Sequence, residues 1–359
     1  VTSPAKLIAS ITPDWMTIGM ITVLIFAYYL ISTILPIDKA MGKVYPWFGA
    51  VLIISTIAIG ISLLTGGHNI PELTMGAMQN FHPKGTPIFP AIFFTISCGA
   101  ISGFHATQAP MVSRTSTNER EGRFLFYGMM IAEGVIAMIW AGASMALFDG
   151  QTLSQMIDAG TPSAVVNQVS TMLLGNVFGT VAIIGVIVLP ISSGLSAFRS
   201  LRTILADYMS IKQDSMKKIL MMTIPLFVIS FFLTKVDFNL IWRYFNWANQ
   251  VTAVIALLMS TRYLYLKNKN YLVTLLPATF MLYACVVYIL SEPIGFRMGL
   301  QTATYLVGLV ATVAIMALYW TTGVKQKVAL SPESELLNDH LPIGTFSSIE
   351  AVPAAVVAE

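Results

Sequence analysis

Ser97-Cys98-Gly99-Ala100-Ile101-Ser102-Gly103-Phe104-His105-Ala106-Thr107-Gln108-Ala109-Pro110 is the stretch on which the reading of this chain turns. It follows the apolar run Ile88 to Ile96, which sets it at or near membrane depth. Yet it holds two glycines, several hydroxyl and amide side chains, a histidine and a closing proline. Glycine weakens a helix by about 1 kcal/mol and an interior proline by about 3 kcal/mol. In lipid, a freed backbone group must find a partner, so such a break survives only inside protein or beside water. Discontinuous helices at that depth are how many transporters build a substrate site. The expected substrate-binding residues here are Ser97, Gly99, Ser102, Gly103, His105, Thr107 and Gln108.

The rest of the composition agrees with a membrane setting. Of 359 residues, 56% are hydrophobic and 10% charged, with a mean hydropathy of +0.75. Soluble domains carry about 25% charged residues, so this chain cannot cover a water-facing surface. An all-α polytopic membrane protein is the class that fits. The net charge of +3 follows from basic loops rather than from a nucleic-acid surface. Cys98 and Cys285 both fall in apolar runs and form neither a metal-ligand spacing nor a disulfide framework. Phosphate loops and nucleophile elbows are absent, and no metal or other cofactor is implied. Residues 1–15 include Lys6 and Asp14 and do not read as a signal peptide. With Val1 in first place, the chain is expected to be the downstream part of a longer protein.

At about 1.5 Å per residue, a helix needs roughly 20 apolar residues to cross about 30 Å of hydrocarbon. Nine runs qualify, some only with their flanks: 17–35, 48–64, 88–104, 124–148, 172–193, 219–233, 240–264, 272–290 and 304–320. The connection 149–171 is read as an interfacial or re-entrant helix. Residues 1–322 would form the membrane domain, and 323–359 a disordered cytoplasmic tail or one docked on that domain. Of the twenty Lys and Arg residues, fifteen fall in one alternating set of loops, including Arg114, Arg120, Arg123, Arg199, Arg202 and Lys212. The opposite set holds only Lys6, Lys84, Lys235 and Arg297. The positive-inside rule then puts the first residue outside and the carboxyl end in the cytoplasm.

Polar residues within the apolar spans are the further candidates. A charge at a helix centre costs about 2.5–3.5 kcal/mol on insertion scales, so it usually has a partner or a task. Glu133 lies near the middle of its span among Ile131, Ala132, Gly134 and Val135, and is the candidate for proton coupling. The bland alternative is a structural glutamate clamping two helices. His105, just past the break, can relay a proton or hold a carboxylate, or it can simply be a hydrogen-bonded residue at a helix end. Thr107 and Gln108 can contact a ligand or cap a half-helix. The fifth span repeats the pattern in Pro190, Ser192, Ser193 and Gly194, so a second broken helix sharing the same cavity is expected. In the seventh span, Arg243, Asn246, Asn249 and Gln250 recur at helical spacing. They either line the pathway or form an interfacial anchor with Trp242 and Trp247.

The block Ser102-Gly103-Phe104-His105-Ala106-Thr107-Gln108-Ala109-Pro110, with Asn118-Glu119, Gly122-Arg123 and Phe126 through Gly134, strongly resembles the carbon starvation protein A family. Ile191-Ser192-Ser193-Gly194, Ala197-Phe198-Arg199-Ser200 and Ala206-Asp207 are similar to a second signature of that family, and the resemblance runs from about residue 17 to 322. It implies a multi-pass bacterial inner-membrane carrier related to the amino acid–polyamine–organocation transporters, with their LeuT-like fold. Such carriers take up peptides or pyruvate, with protons, when preferred carbon is exhausted. Two departures stand out. The family's amino-terminal portion, with its broken helices and histidine–aspartate pair, is not found, and Leu195 stands where the family commonly has an aspartate. Ala109 replaces a frequent serine.

The expectation is a secondary active transporter importing small peptides, with a pyruvate/proton symporter as the alternative. The implied partners are a peptide or monocarboxylate, protons and membrane lipid, with a missing amino-terminal segment or a homo-oligomer to complete the unit. A non-transporting membrane sensor or subunit is the rival from another class, and an enzyme is not indicated.

Overall fold

The structure is a computed structural model, and it describes residues 1–34, 38–72, 74–78, 80, 87–160 and 162–324. The expected tail therefore lies outside the described residues apart from its first two positions. Twelve α-helices occur among the described residues: α1 (Thr2–Ala9), α2 (Ile18–Ile34), α3 (Asp38–Thr65), α4 (Ile88–Ala100), α5 (Gly103–Thr115), α6 (Met129–Leu147), α7 (Gly150–Gly160), α8 (Pro162–Tyr208), α9 (Met216–Leu233), α10 (Phe238–Leu266), α11 (Leu272–Ser291) and α12 (Thr302–Leu318). A π-helical turn, Arg123–Gly128, leads into α6. No strand occurs among the described residues.

Among the described residues, six helical segments are long and apolar enough to cross a membrane: Tyr45–Thr65, Arg123–Leu147, Pro162–Tyr208, Met216–Leu233, Leu272–Ser291 and Thr302–Val324. Ile18–Ser32 and Ile88–Ser97 are apolar but shorter. The 29-residue α10 is long enough, but Arg243, Asn246, Asn249 and Gln250 dilute its apolar character. These are the three places where the nine expected crossings exceed the six. Large apolar side chains such as Ile54, Met138, Val177 and Phe178 are exposed. In a chain of this composition such a surface belongs against lipid. The chain is thus an all-helical, multi-pass membrane protein.

Two compact units are distinguished, Val1–Thr312 and Val313–Glu359. Within the first, helices pack around several apolar clusters rather than one. Ala5, Ile21, Ile25, Tyr29, Leu195 and Phe227 join α1, α2, α8 and α9. Phe94, Val254, Met281, Ala284, Cys285 and Tyr288 join α4, α10 and α11, with the Phe94 and Tyr288 rings stacked at 4.3 Å. Ile59, Leu63, Ala143, Val165 and Val169 join α3, α6 and α8. In the described part of the second unit, α12 runs out into a π-helical turn, Tyr319–Val324. The connection 149–171 contains α7, whose start is capped by Asp149: the Thr152 amide donates to its carboxylate at 2.7 Å and the hydroxyl at 3.1 Å. Those bonds, the backbone one foremost, hold the Asp149 carboxyl below its ordinary range.

One expectation is corrected at α8. The helix runs unbroken through Pro190, Ser192, Ser193 and Gly194, and its interruption lies instead at Gly175, where φ is +75°. Only glycine takes that conformation freely. Pro190 removes the helical donor to the Val186 carbonyl, and the Ser192 hydroxyl donates to the Leu189 carbonyl at 2.9 Å. Gly194 serves close approach: a Cβ there would collide with the Tyr29 hydroxyl and lie 2.9 Å from the ring carbon bearing it. Leu195, where the family commonly has an aspartate, is a core residue, 5% exposed against Tyr29 and Phe227.

Gly194→Ala should therefore cost about 1–3 kcal/mol through overpacking. Tyr29→Phe, which removes the nearest colliding atom, should recover part of that loss. Thermal unfolding of the two single variants and the double variant in detergent would measure it; purely additive losses would contradict this contact.

Candidate functional site

The expected interruption of the third span is present, but it is confined to two residues. The helix α4 ends at Ala100, Ile101 (φ −134°, ψ 86°) and Ser102 (φ −115°, ψ 138°) are extended, and α5 starts at Gly103. The α4 end is closed by the Ile101 amide donating to the Ser97 carbonyl at 2.7 Å. Ser97 itself turns inward, its hydroxyl bonded to the Phe93 carbonyl. At the α5 start, the Phe104 amide donates to the Ser102 hydroxyl oxygen at 3.2 Å and to the Asn249 side-chain oxygen at 3.0 Å. The Ser102 hydroxyl also donates to Asn249, at 3.1 Å. An amide from α10 thus caps α5 across the bundle, which is how a break is satisfied where water is scarce.

Gly103 is where this packing demands glycine. A Cβ there would run into the Asn249 carbonyl and come within 2.7 Å of the Thr252 Cβ. Gly99, by contrast, has open space around it. Pro110 does not close the stretch but sits inside α5. Its missing N–H leaves one carbonyl of the preceding turn without a helical donor.

One turn into α5, the His105 ring approaches α6. Its Nε2 lies 3.1 Å from Oε2 of Glu133, and the two side chains are 28% and 49% exposed. The pair borders a cavity of about 410 Å³ lined by Ser102, Gln108, Ala253, Leu257 and Ser260 among others. The Gln108 amide donates to the Ser200 hydroxyl at 2.9 Å, tying α5 to α8. The Thr107 hydroxyl returns to the Phe104 carbonyl at 3.0 Å. The His105 Nδ1 is buried and bonds to nothing among the described residues. A neutral imidazole with Nε2–H toward the carboxylate leaves Nδ1 an acceptor, whereas a protonated ring presents a second donor there. The arrangement can therefore move a proton between Glu133 and His105 through Nε2, while the buried Nδ1 is not accessible to a guest.

The remaining expected site residues fall elsewhere. Ser192 and Gly194 lie on the part of α8 that packs toward α2, Ser193 is exposed, and none of the three lines this cavity. Gly194 and Pro190 border a different cavity, beside Tyr29 and Phe198. The polar face of α10 divides along its length. Arg243 pairs with Glu292 at 3.3 Å, Asn246 is half-buried, Asn249 caps the break, and Gln250 is fully buried with no hydrogen bond from its side chain among the described residues. The cavity wall on α10 (Ala253, Ala256, Leu257 and Ser260) was overlooked in the sequence. Its i, i+3, i+4, i+7 spacing marks one helix face, but its small residues gave no chemical signal.

Asn249→Ala should remove the tertiary cap and leave the Phe104 amide with a single weak acceptor, a loss of about 1–3 kcal/mol. Asn249→Asp, which keeps an acceptor oxygen, should be milder; equal destabilisation of both by thermal unfolding would contradict the capping role.

Comparison with known proteins identifies the family. A Haemophilus influenzae protein described only as an uncharacterized membrane protein is 44% identical over 156 residues, 39% of this chain and 42% of that protein. The pyruvate/proton symporter BtsT of Escherichia coli is 32% identical over 127 residues, 33% of this chain. The peptide transporter CstA of Escherichia coli is 31% identical over 134 residues, 35% of this chain. Each of these two matches spans 17% of the transporter's own length. No solved structure matches the chain. The family model for carbon starvation protein CstA matches residues 7–239, more than half of the sequence, and the chain belongs to that family.

Proposed function

We propose that this chain forms all or part of a secondary active transporter that moves a small carboxylate-bearing solute, a short peptide or a monocarboxylate, across a bacterial inner membrane together with protons. The observation that carries the reading is the His105–Glu133 contact at 3.1 Å, beside a discontinuous helix and facing a cavity of about 410 Å³. That volume falls within the usual range for small-molecule sites. A carboxylate at membrane depth beside an imidazole can gain and lose a proton as solvent access changes. The α5 amino terminus adds roughly half a positive charge near the same cavity, which favours an anionic guest.

In this reading Ser102, His105 and Gln108 hold the solute, Glu133 couples the proton, and the Asn249 cap keeps α4 and α5 apart. Nine crossings, with the carboxyl end in the cytoplasm, are supported by the distribution of basic loops, with α2, α4 and α10 joining the six apolar segments; a LeuT-like arrangement of them is what the family resemblance implies. Peptide transport is favoured by the name of the Escherichia coli relative CstA. Pyruvate/proton symport is favoured by that of BtsT. A non-transporting sensor or subunit is the outcome if neither solute moves.

The test is uptake of labelled pyruvate and of di- and tripeptides into proteoliposomes, with and without an inward proton gradient. One solute class should accumulate with the gradient. Glu133→Gln should cut gradient-driven accumulation by about tenfold, within the usual range of coupling between two sites, while counterflow exchange persists. Gradient-driven uptake unchanged by Glu133→Gln would remove the glutamate from the mechanism.

A further inference from the structure

A second cavity adjoins the first. It measures about 830 Å³, and among its largely apolar lining it holds the polar side chains Thr107, Ser113, Ser200, Thr203, Asp207 and Thr252. The two cavities share five lining residues: Ala106 and Ala109 of α5, Ala256 and Ser260 of α10, and Phe126. Four of these are small, so helices α5 and α10 leave a narrow passage between the two spaces. Phe126 is the one bulky side chain at the passage.

The ring is delivered by an unusual backbone. Phe126 sits in the π-helical turn Arg123–Gly128, immediately before α6, and seven residues later the same span carries Glu133. Single π-helical turns are rare and concentrate at functional positions, because they shift the register of a helix within its own ladder. A return of this turn to α-helical bonding would move Phe126 relative to the passage and rotate the helix that bears Glu133.

The second cavity also has a direction. Ser113 lies in the last turn of α5, Asp207 in the last turn of α8, and Met259 two turns from the end of α10. All three helices run out into the loops that hold Arg114, Arg120 and Arg123, Lys212, Lys217 and Lys218, and Lys267 and Lys269. By the positive-inside rule those loops face the cytoplasm. The first cavity starts at the same end, at Val112 and Leu125, and extends deeper along α5 and α6 to Ser102, His105 and Glu133.

We propose that the cavity between Thr107, Thr203 and Asp207 is the cytoplasmic vestibule of the transport path and that Phe126 is the gate dividing it from the His105–Glu133 chamber. This rests on the reading of that chamber as the transport site. A solute leaving the chamber meets hydroxyl and carboxylate groups set among apolar side chains such as Met111, Ile204 and Met259, and its ammonium or amide end finds acceptors there. Phe126 closes the chamber while Glu133 exchanges its proton, so that solute and proton do not leak independently.

Cysteine accessibility tests this without relying on uptake. In a Cys98→Ala/Cys285→Ala background, Thr203→Cys and Leu257→Cys report the vestibule and the deep chamber respectively. A membrane-impermeant maleimide is applied to right-side-out and inside-out vesicles. Thr203→Cys should react only when the cytoplasmic face is exposed. Leu257→Cys should react slowly from that face, and about tenfold faster once Phe126→Ala raises the fraction of open passages. Phe126→Trp should slow it below the parent, and the Thr203→Cys rate, unchanged in both, controls for folding. Thr203→Cys reacting from the opposite face, or Leu257→Cys reacting at one rate whatever residue stands at 126, would overturn the proposal. If instead Glu133→Gln leaves uptake intact while the labelling pattern holds, the transport-site reading fails and the gated passage stands.

Discussion

The Asn249 side-chain oxygen accepts from both the Ser102 hydroxyl and the Phe104 amide, and the separation of α4 from α5 depends on that contact. A chain that stops being helical within hydrocarbon exposes N–H and carbonyl groups that lipid cannot satisfy. Here the new amino terminus is capped from the neighbouring helix α10, and the old carboxyl terminus by its own backbone turn. Because the break is capped from outside, α5 can start on a new axis, and its first turn directs His105 toward α6. Glycine at 103 lets α5 come close enough to α10 for the cap to form.

The apolar clusters on either side hold this arrangement. Phe94 stacked on Tyr288 fixes α4 against α11, while Tyr29, Leu195 and Phe227 fix α8 against α2 and α9. Between them α5 is tied to α8 by the Gln108–Ser200 bond and to α6 by His105 and Glu133. Its contacts with α10 are made through small residues, which leave room for the two adjoining cavities. The first cavity is lined mostly by apolar side chains, and Ser102, His105, Gln108, Glu133 and Ser260 are the polar groups set into that lining.

Much of this was legible in the residues. Glycines, hydroxyls and a histidine after an apolar run signalled the break at 101–102, since helix propensity and lipid solvation act on the local chain. The isolation of Glu133 among apolar residues marked it for attention, but its partner could not be read, because His105 is 28 residues away and the pairing depends on how α5 and α6 cross. The misreading at Pro190–Gly194 has the same origin. Proline, serine and glycine argue for a break by propensity, yet Gly194 is there to admit the Tyr29 ring and the helix continues. The real kink at Gly175 lay within an apolar stretch where one glycine among many gives no signal. Asn249 was legible as polar but not as a cap, which is a property of two helices rather than of one.

Membership of the carbon starvation family fits a bundle of this kind, and the distinctive block Ser102–Pro110 lies where the break, the cap and the cavity meet. The most direct measurement is an experimental density map of the protein in lipid nanodiscs, at a resolution that shows side chains. The account predicts a two-residue gap in the helical density at Ile101–Ser102, the Asn249 side chain against it, and the His105 ring turned toward Glu133 across a hydrated cavity. A continuous helix from Ile88 to Thr115, with His105 facing lipid, would contradict it.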